Sequence, residues 1–546
     1  MNNPYRDLAY GPAIALMASR FADREALVFG GRRWSFADVK AEIDAASARL
    51  VAADLSPGDK VAIWLPNRPE FIWYWLGAAQ IGMVPVILNT RLKREEAAYQ
   101  IEQSDSRAVL IPGDGAFRDF AGELLEACPE LGQGRAALNG SRFPKLEMIL
   151  LCEPTRQPLA VGRELAELDR AVGDVRLPPL VEDVRAPGMI CYSSGTTALP
   201  KGAVLNHAAF RKAWDHGPRF HQAPDDRLYL GVPLFGILAS INGVLTFWAR
   251  GGAVILDERF EAGRAIDNIE REGCTVAYLL PPMLEQIVSH PAFSRDRVAR
   301  LRTGLVASNN ADIQRLAIEK LGMHEVFTSY GMTETSSACT RTFSDDPLEI
   351  RLETQGQALP DIEVRIGDVE TGAPLPPDAE GEVQVRGYNV MLGYYNKPEE
   401  TAAAFTADGF FRTGDLARMD AEGRLRFQRR VKDGYKYKGF NVSTLEVEAA
   451  ILAHPDIRAA AVVGLPDGMN GEVGAAFVIA RDAGERIDGA ALVEFLRPRL
   501  AGYKLPAHVF QVEEFPLTAG TQKVRKFQLR EMAMARLATM AEARDD

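Results

Sequence analysis

From Glu25 to Leu151 short β-rich runs alternate with helix-period segments, and this alternation constrains the fold more than any other feature of the chain. The runs are 26–29, 61–65, 84–88, 108–111 and 148–151. Strands separated by helices predict a layered α/β sheet. One of the helices opens at Ser35 with Asp38 three positions on, a capping-box-like start, and Val39, Ile43, Ala46 and Leu50 recur on one helical face. The turn before it falls at Gly30-Gly31.

A proline-rich connector, 177–188, separates this block from a second one, in which runs 228–230, 253–256, 276–280 and 305–306 again alternate with helical patterns. The expectation is two repeated α/β layers. From about Gln355 to Arg429 the pattern changes to alternating strands with tight turns, as in 382–386 and 423–427, which predicts a small β subdomain. Beyond Asp433, helical patterns at 443–453, 488–500 and 526–541 surround strand-like runs at 460–463 and 476–479, so a small mixed α+β domain closes the chain.

Composition bounds the function classes. With 546 residues and 47% hydrophobic content the chain buries several large cores. A net charge of −11 argues against a general nucleic-acid binder, since affinity for phosphate backbones comes from Lys and Arg. The run 71–88 approaches membrane-span length but contains Gln80, Gly82 and Pro85, so a buried helix followed by a strand is expected and no integral membrane segment. Cys128, Cys152, Cys191, Cys274 and Cys339 form no CxxC pair, and the first residues lack an apolar signal core. A reduced, cytoplasmic protein is the expectation.

The chemistry concentrates first in 192–202, a hydroxyl- and glycine-rich loop with one lysine. Backbone N–H groups without an obstructing Cβ, small hydroxyls and a flexible ammonium together hold polyphosphate well. A solvated Ser/Thr/Gly turn is the common alternative. A Walker A loop is excluded, because Pro200 stands where that motif needs Gly and Gly202 where it needs Ser or Thr.

The loop resembles the signature of the adenylate-forming superfamily, the acyl-CoA synthetases, luciferases and nonribosomal adenylation domains. Four further clusters follow in that family's order. Ser329 to Thr335 matches its Tyr-Gly-x-Thr-Glu pattern, in which an aromatic can stack on a base, a hydroxyl can bind phosphate and a carboxylate can hold Mg²⁺. Thr413-Gly414-Asp415 is similar to the family's ribose-binding turn, where a bidentate acceptor suits a vicinal diol. The stretch 429–440 resembles its hinge, and 516–526 its last motif.

The resemblance implies a role for each matching position. Ser193, Ser194, Gly195, Thr196, Thr197 and Lys201 bind phosphates; Tyr330 faces adenine, Gly331 beside it is counted with the ATP/AMP-binding residues, Thr333 binds phosphate, Asp415 the ribose, and Arg430 ribose or phosphate. Glu334 holds the metal, and Lys523 is the catalytic lysine, counted with Glu334 and Thr196 as catalytic. Lys432 is the hinge, dividing a large domain 1–430 from a small mobile domain 431–546, and Lys438 with Gly439 lies where the pantetheine arm of CoA passes. A lysine beside the α-phosphate has a physical rationale: it neutralises the approach of a carboxylate anion to a phosphate.

The implied activity is ATP- and Mg²⁺-dependent ligation of a carboxylic acid to coenzyme A through an acyl-adenylate, with AMP and pyrophosphate released. Transfer to a separate carrier protein, oxidation of the acyl group, and a catalytically silent nucleotide-binding regulator remain alternatives. The oligomeric state is left open, a homodimer included. The sequence departs from the family at Ala198 and Gln522, each standing where a Gly is usual. Gly236 replaces a bulky gate residue, and with Phe235, Ala307 and Phe327 it is expected near the acid, which points to an aliphatic, alicyclic or aryl acid larger than acetate.

Overall fold

Strands buried on both faces need apolar residues at every position, and the runs of the first block meet that demand: Val84–Ile87 and Met148–Leu151 are buried throughout. The computed structural model describes residues 3–545 except 115, 158, 194–199, 309, 432–433, 438–439, 468–470, 483, 501 and 519–522. The first block builds an eight-stranded sheet in the order Gly393–Tyr394, Lys201–Asn206, Pro187–Ser193, Val84–Ile87, Lys60–Ile63, Ser106–Ile111, Met148–Leu151, Gly162–Glu164. It is parallel from Pro187–Ser193 to Gly162–Glu164 and ends on the other side in two antiparallel strands.

The second block forms a six-stranded sheet, Thr303–Val306, Val276–Leu279, Arg227–Leu230, Ala253–Leu256, Glu25–Phe29, Arg32–Ser35, parallel but for the last hairpin. That hairpin turns at Gly30 and Gly31, both at positive φ. The following helix, Phe36–Ala52, starts with the anticipated capping box: the Ser35 hydroxyl accepts from Asp38 N, and the Asp38 carboxylate accepts from Ser35 N. Strands of both sheets and the helices Tyr10–Phe21, Phe36–Ala52 and Pro69–Gln80 share one apolar core. Every residue of Pro69–Gln80 except Glu70 is buried, and a Cβ on Gly77 would stand 2.8 Å from the Ile43 carbonyl. The run 71–88 is thus an interior helix and strand; among the described residues no helix is long and apolar enough to cross a membrane.

A three-stranded sheet, Ser329–Met332, Ser337–Arg341 and Gln357–Ala358, leads to a four-stranded antiparallel sheet of Ile362–Gly367, Gly381–Gly387, Phe411–Met419 and Leu425–Arg430, the expected β subdomain. Beyond it, strands Phe440–Ser443, Gly434–Tyr437, Gly471–Ala480, Ile457–Asp467 and His508–Gln511 form a mixed sheet. Helices Thr444–Leu452 and Gly489–Leu496 pack on one apolar cluster of this sheet and Lys526–Asp545 on another. The helix expected over 488–500 is shorter because Asp488 caps it, accepting from Ala490 N and Ala491 N, and the chain turns beyond Leu496. The architecture is the anticipated one: two layered α/β units, a β unit and a small α+β unit.

Candidate active site

The ends of strands from three sheets supply the described site residues. Ser193 closes strand Pro187–Ser193 and Lys201 opens Lys201–Asn206, and the two pair across the antiparallel ladder, so the hydroxyl-rich loop is a strand-to-strand connection. Ser194, Gly195, Thr196, Thr197 and Ala198 lie outside the described residues, as do Lys432, Lys438, Gly439 and Gln522. The helix Arg94–Gln103 buttresses this hairpin: Tyr99 Oη donates to the Pro200 carbonyl at 3.2 Å and Tyr192 Oη to the Gln100 carbonyl at 3.1 Å.

Glu334 stands in the turn Thr333–Thr335 between two strands of the three-stranded sheet, 4% exposed. Ser336 and Ser337 just after it adopt φ of 52° and 84°, a left-handed pair of non-glycine residues that only a well-held backbone sustains. The holding bonds are present: Ser336 Oγ donates to the Asn389 carbonyl at 2.8 Å, Asn389 Nδ2 to the Thr335 carbonyl at 3.0 Å, and Thr335 Oγ1 to the Ser337 carbonyl at 2.8 Å. Tyr394 Oη donates to Glu334 Oε1 at 3.0 Å, and Lys201 Nζ lies 5.0 Å from the Tyr394 ring centroid, a cation–π distance. Burial, and then Glu334, push the Tyr394 hydroxyl up, so it stays a donor. The Cys191 thiol is raised by burial first and by Glu334 second, which puts this carboxylate within electrostatic reach of strand Pro187–Ser193.

Asp415 projects from strand Phe411–Met419, 5% exposed. Gly414 before it has φ +70° with open space around it, so the turn needs glycine for its backbone and not for room. Tyr330 Oη donates to Asp415 Oδ2 at 2.8 Å, Arg430 Nε lies 3.3 Å from Asp415 Oδ1, and Asp415 and Arg430 face each other in the ladder. The Tyr330 ring stacks on Phe427 at 6.2 Å, and burial, reinforced by Asp415, holds its hydroxyl protonated. The 429–430 and 413–415 clusters, separate in sequence, are therefore joined by the strand ladder and an ion pair, and Tyr330 adds the aromatic of 329–335 through its hydrogen bond to Asp415.

Residues 15–395 match the AMP-binding enzyme family, and residues 446–521 match the AMP-binding enzyme C-terminal domain. The chain belongs to this family. It is an AMP-forming acid–thiol ligase of the adenylate-forming superfamily. The mitochondrial medium-chain acyl-CoA ligase ACSF2 of Mus musculus is 31% identical over 538 residues, spanning 95% of this chain and 87% of that protein. ATP-bound MatB from Rhodopseudomonas palustris superposes with a TM-score of 0.80 at 27% identity, covering 96% of this chain and 99% of the other. The o-succinylbenzoate coenzyme A synthetase MenE of Bacillus subtilis, solved with ATP and magnesium, gives a TM-score of 0.76 at 26% identity over 95% and 98% of the two chains.

In this AMP-binding enzyme Lys523 is exposed and belongs to a hairpin pairing formed by an isolated antiparallel bridge of Leu517 with Val524, in which Thr518 N donates to the Lys523 carbonyl at 2.8 Å; residues 519–522 lie outside the described residues. Arg525 ties that hairpin to Glu96 on helix Arg94–Gln103 at 2.6 Å, and Lys526 roots it to Glu448 at 2.7 Å. Of the residues expected near the acid, Phe327 is fully buried, Phe235 and Gly236 are half-buried and Ala307 is exposed at the end of strand Thr303–Val306. A Cβ on Gly236 would meet only the Pro233 carbonyl, at 3.3 Å. Sequence reasoning did not single out Tyr394 or Glu96: each reaches the site through tertiary contact alone, and no local pattern marks them.

Proposed function

We propose that this enzyme ligates a carboxylic acid to coenzyme A in two steps at one site. What supports the reading is the Lys201–Tyr394–Glu334 contact and the Tyr330–Asp415–Arg430 unit, together with the ion pair that ties Arg525, two residues after Lys523, to the helix that buttresses the 192–202 loop. In the first step a carboxylate oxygen attacks the α-phosphorus of ATP, the new P–O bond forms, and pyrophosphate leaves. In the second the CoA thiolate attacks the acyl carbon, the thioester forms and AMP leaves with the electron pair of the broken C–O bond.

Asp415 accepts both ribose hydroxyls while Tyr330 holds one of its oxygens in place, and Arg430 limits the cost of that buried charge. Thr333 and the residues 193–197 receive the phosphates with Lys201. Among the described residues no cluster of three or more His, Cys, Asp or Glu side chains forms a closed metal cage. That fits Mg²⁺, which is held by one or two carboxylates plus substrate phosphate oxygens and water; Glu334 is the carboxylate that would hold it. Bound there, Mg²⁺ would neutralise phosphate charge. Lys523 offsets the meeting of two anions in the first step, and rotation about Lys432 then replaces it with Lys438 and Gly439 along the pantetheine arm. The test is mass spectrometry of protein incubated with MgATP, CoA and a panel of fatty, alicyclic, aryl and bile-type acids. A new acyl-CoA with AMP supports the reading; acyl-adenylate without thioester redirects it to a carrier-protein or oxidative acceptor, and no AMP with any acid overturns it.

A further inference from the structure

The strand that carries Asp415 does not run straight. Between Phe411–Met419 and Gly381–Gly387 the ladder pairs Arg412 with Gln384 and Leu416 with Glu382, so Thr413, Gly414 and Asp415 stand against Val383 alone. A bulge of this kind breaks the regular ladder and re-aims the side chains that it carries. Its backbone groups then need other partners, because a buried amide or carbonyl left unpaired is costly.

Side chains supply those partners. Thr413 Oγ1 donates to the Val383 carbonyl at 2.8 Å and accepts from Asp415 N at 3.1 Å. Gly414 N donates to Glu382 Oε1 at 2.9 Å, and the other oxygen of that carboxylate accepts from Arg412 Nε at 2.7 Å. Glu382 is 4% exposed, so a carboxylate has been taken out of water here and balanced by Arg412. Packing does not ask for it: Val383 and Val385 fill the same strand at 0% exposure. What a buried carboxylate adds is a strong acceptor for one particular amide. That amide belongs to the residue just before Asp415, a glycine at φ +70° with open space around it, whose conformation sterics alone leave free. From the other edge of the strand Arg430 and Tyr330 hold the Asp415 side chain; Glu382 and Thr413 hold the backbone from which it projects.

We propose that Glu382 and Thr413 are positioning residues for the nucleotide: by locking the 413–415 bulge they aim the Asp415 carboxylate, and so set how well the enzyme tells a ribose diol from a sugar that lacks it. This rests on the reading of Asp415 as the ribose acceptor. Two hydroxyls must meet one carboxylate at once, and a bulge free to rotate about Gly414 would keep that geometry for only part of the time.

The test is calorimetric titration of the full chain with AMP and with 2′,3′-dideoxy-AMP, which needs no acid substrate. The wild-type protein should bind AMP about tenfold or more tightly than the dideoxy nucleotide, the scale of hydrogen bonds to a charged acceptor. Glu382→Ala and Thr413→Val should each weaken AMP binding severalfold while dideoxy-AMP binding stays within about twofold of the wild type, so that the ratio falls toward one. Glu382→Gln, which keeps an oxygen for the Gly414 amide, should retain most of the ratio. Thr413→Val preserves side-chain volume and carries the test if Glu382→Ala does not fold. A folded variant of either residue that keeps the wild-type ratio, or that loses affinity for both nucleotides equally, overturns the inference and leaves the ribose reading standing. A wild-type protein that binds the two nucleotides equally, or binds neither, overturns the ribose reading and the inference with it.

Discussion

Arg525 Nη2 stands 2.6 Å from Glu96 Oε1, so the hairpin bearing Lys523 is ion-paired to the same helix whose Tyr99 donates to the Pro200 carbonyl in the hydroxyl-rich segment 192–202. Both partners are partly exposed, so the pair contributes on the order of 1 kcal/mol or less, and that amount biases the position of the hairpin. Glu96→Gln should slow single-turnover pyrophosphate release by about two- to fivefold at low ionic strength, with the gap closing in high salt as screening removes the pair from the wild type as well. Thioester formation from supplied acyl-adenylate should not change. An unaltered first step would mean that the contact is incidental to adenylation.

The proposed division of labour between Lys523 and Gly439 gives a sharper expectation. Lys523→Ala removes a cation from the first transition state, and a loss of about a hundredfold or more in acyl-adenylate formation is expected, with the second step spared. Gly439→Leu puts a branched side chain where the pantetheine arm is proposed to pass, and the deficits should reverse. Rapid-quench assays of each half reaction separate the two. Equal losses in both steps for either variant would contradict alternation of the small domain.

The layers and their order were legible because burial on both faces writes itself into the sequence as short continuous apolar runs, and because Ser35 and Asp38 announce a helix start through purely local bonds. The helix ending at Leu496 was overextended because its apolar period continues to Leu500 although the chain has turned. The contacts that join the candidate site were out of reach for a different reason. Tyr394 finds Glu334 across 60 positions and Arg525 finds Glu96 across 429, and such pairs leave no spacing to read. Lys212 was hidden by its own pattern: a lysine in an amphipathic helix reads as solvated, and only the packing of strand Ser337–Arg341 shows it at 0% exposure.

Tyr394 offers a test of the proposed metal carboxylate. Its hydroxyl is held in the donor state and gives Glu334 a fixed partner at 3.0 Å. Tyr394→Phe keeps the ring beneath Lys201 and deletes that one bond, so Glu334 loses orientation without losing charge. A hydrogen bond to a charged group contributes about 1.5–3 kcal/mol, and the Mg²⁺ concentration for half-maximal adenylation should rise about tenfold or more. A Mg²⁺ dependence identical to that of the wild type would show that Glu334 is positioned without Tyr394, or that the metal is held elsewhere.

Lys212 makes the stability of the protein depend on pH in a definable direction. Its ammonium, ordinarily near 10.5, is pushed down to about 7, chiefly by burial, with Cys339 opposing and Arg341 reinforcing the shift. Below about pH 7 the lysine is charged in both folded and unfolded chains, and the folded state bears the whole cost of that buried charge. Between about 7 and 10.5 the unfolded chain binds a proton that the folded one has released, so stability rises with pH across this window. Lys212→Met has no proton to lose and fills a similar volume. It should melt above the wild type, by the widest margin below neutrality, and the margin should narrow as pH climbs toward 10.5. Thermal melts of both proteins at about pH 6 and about pH 9 decide it. A margin that stays constant, or an unchanged melting temperature, would mean that the Lys212 charge is solvated or paired in the folded protein.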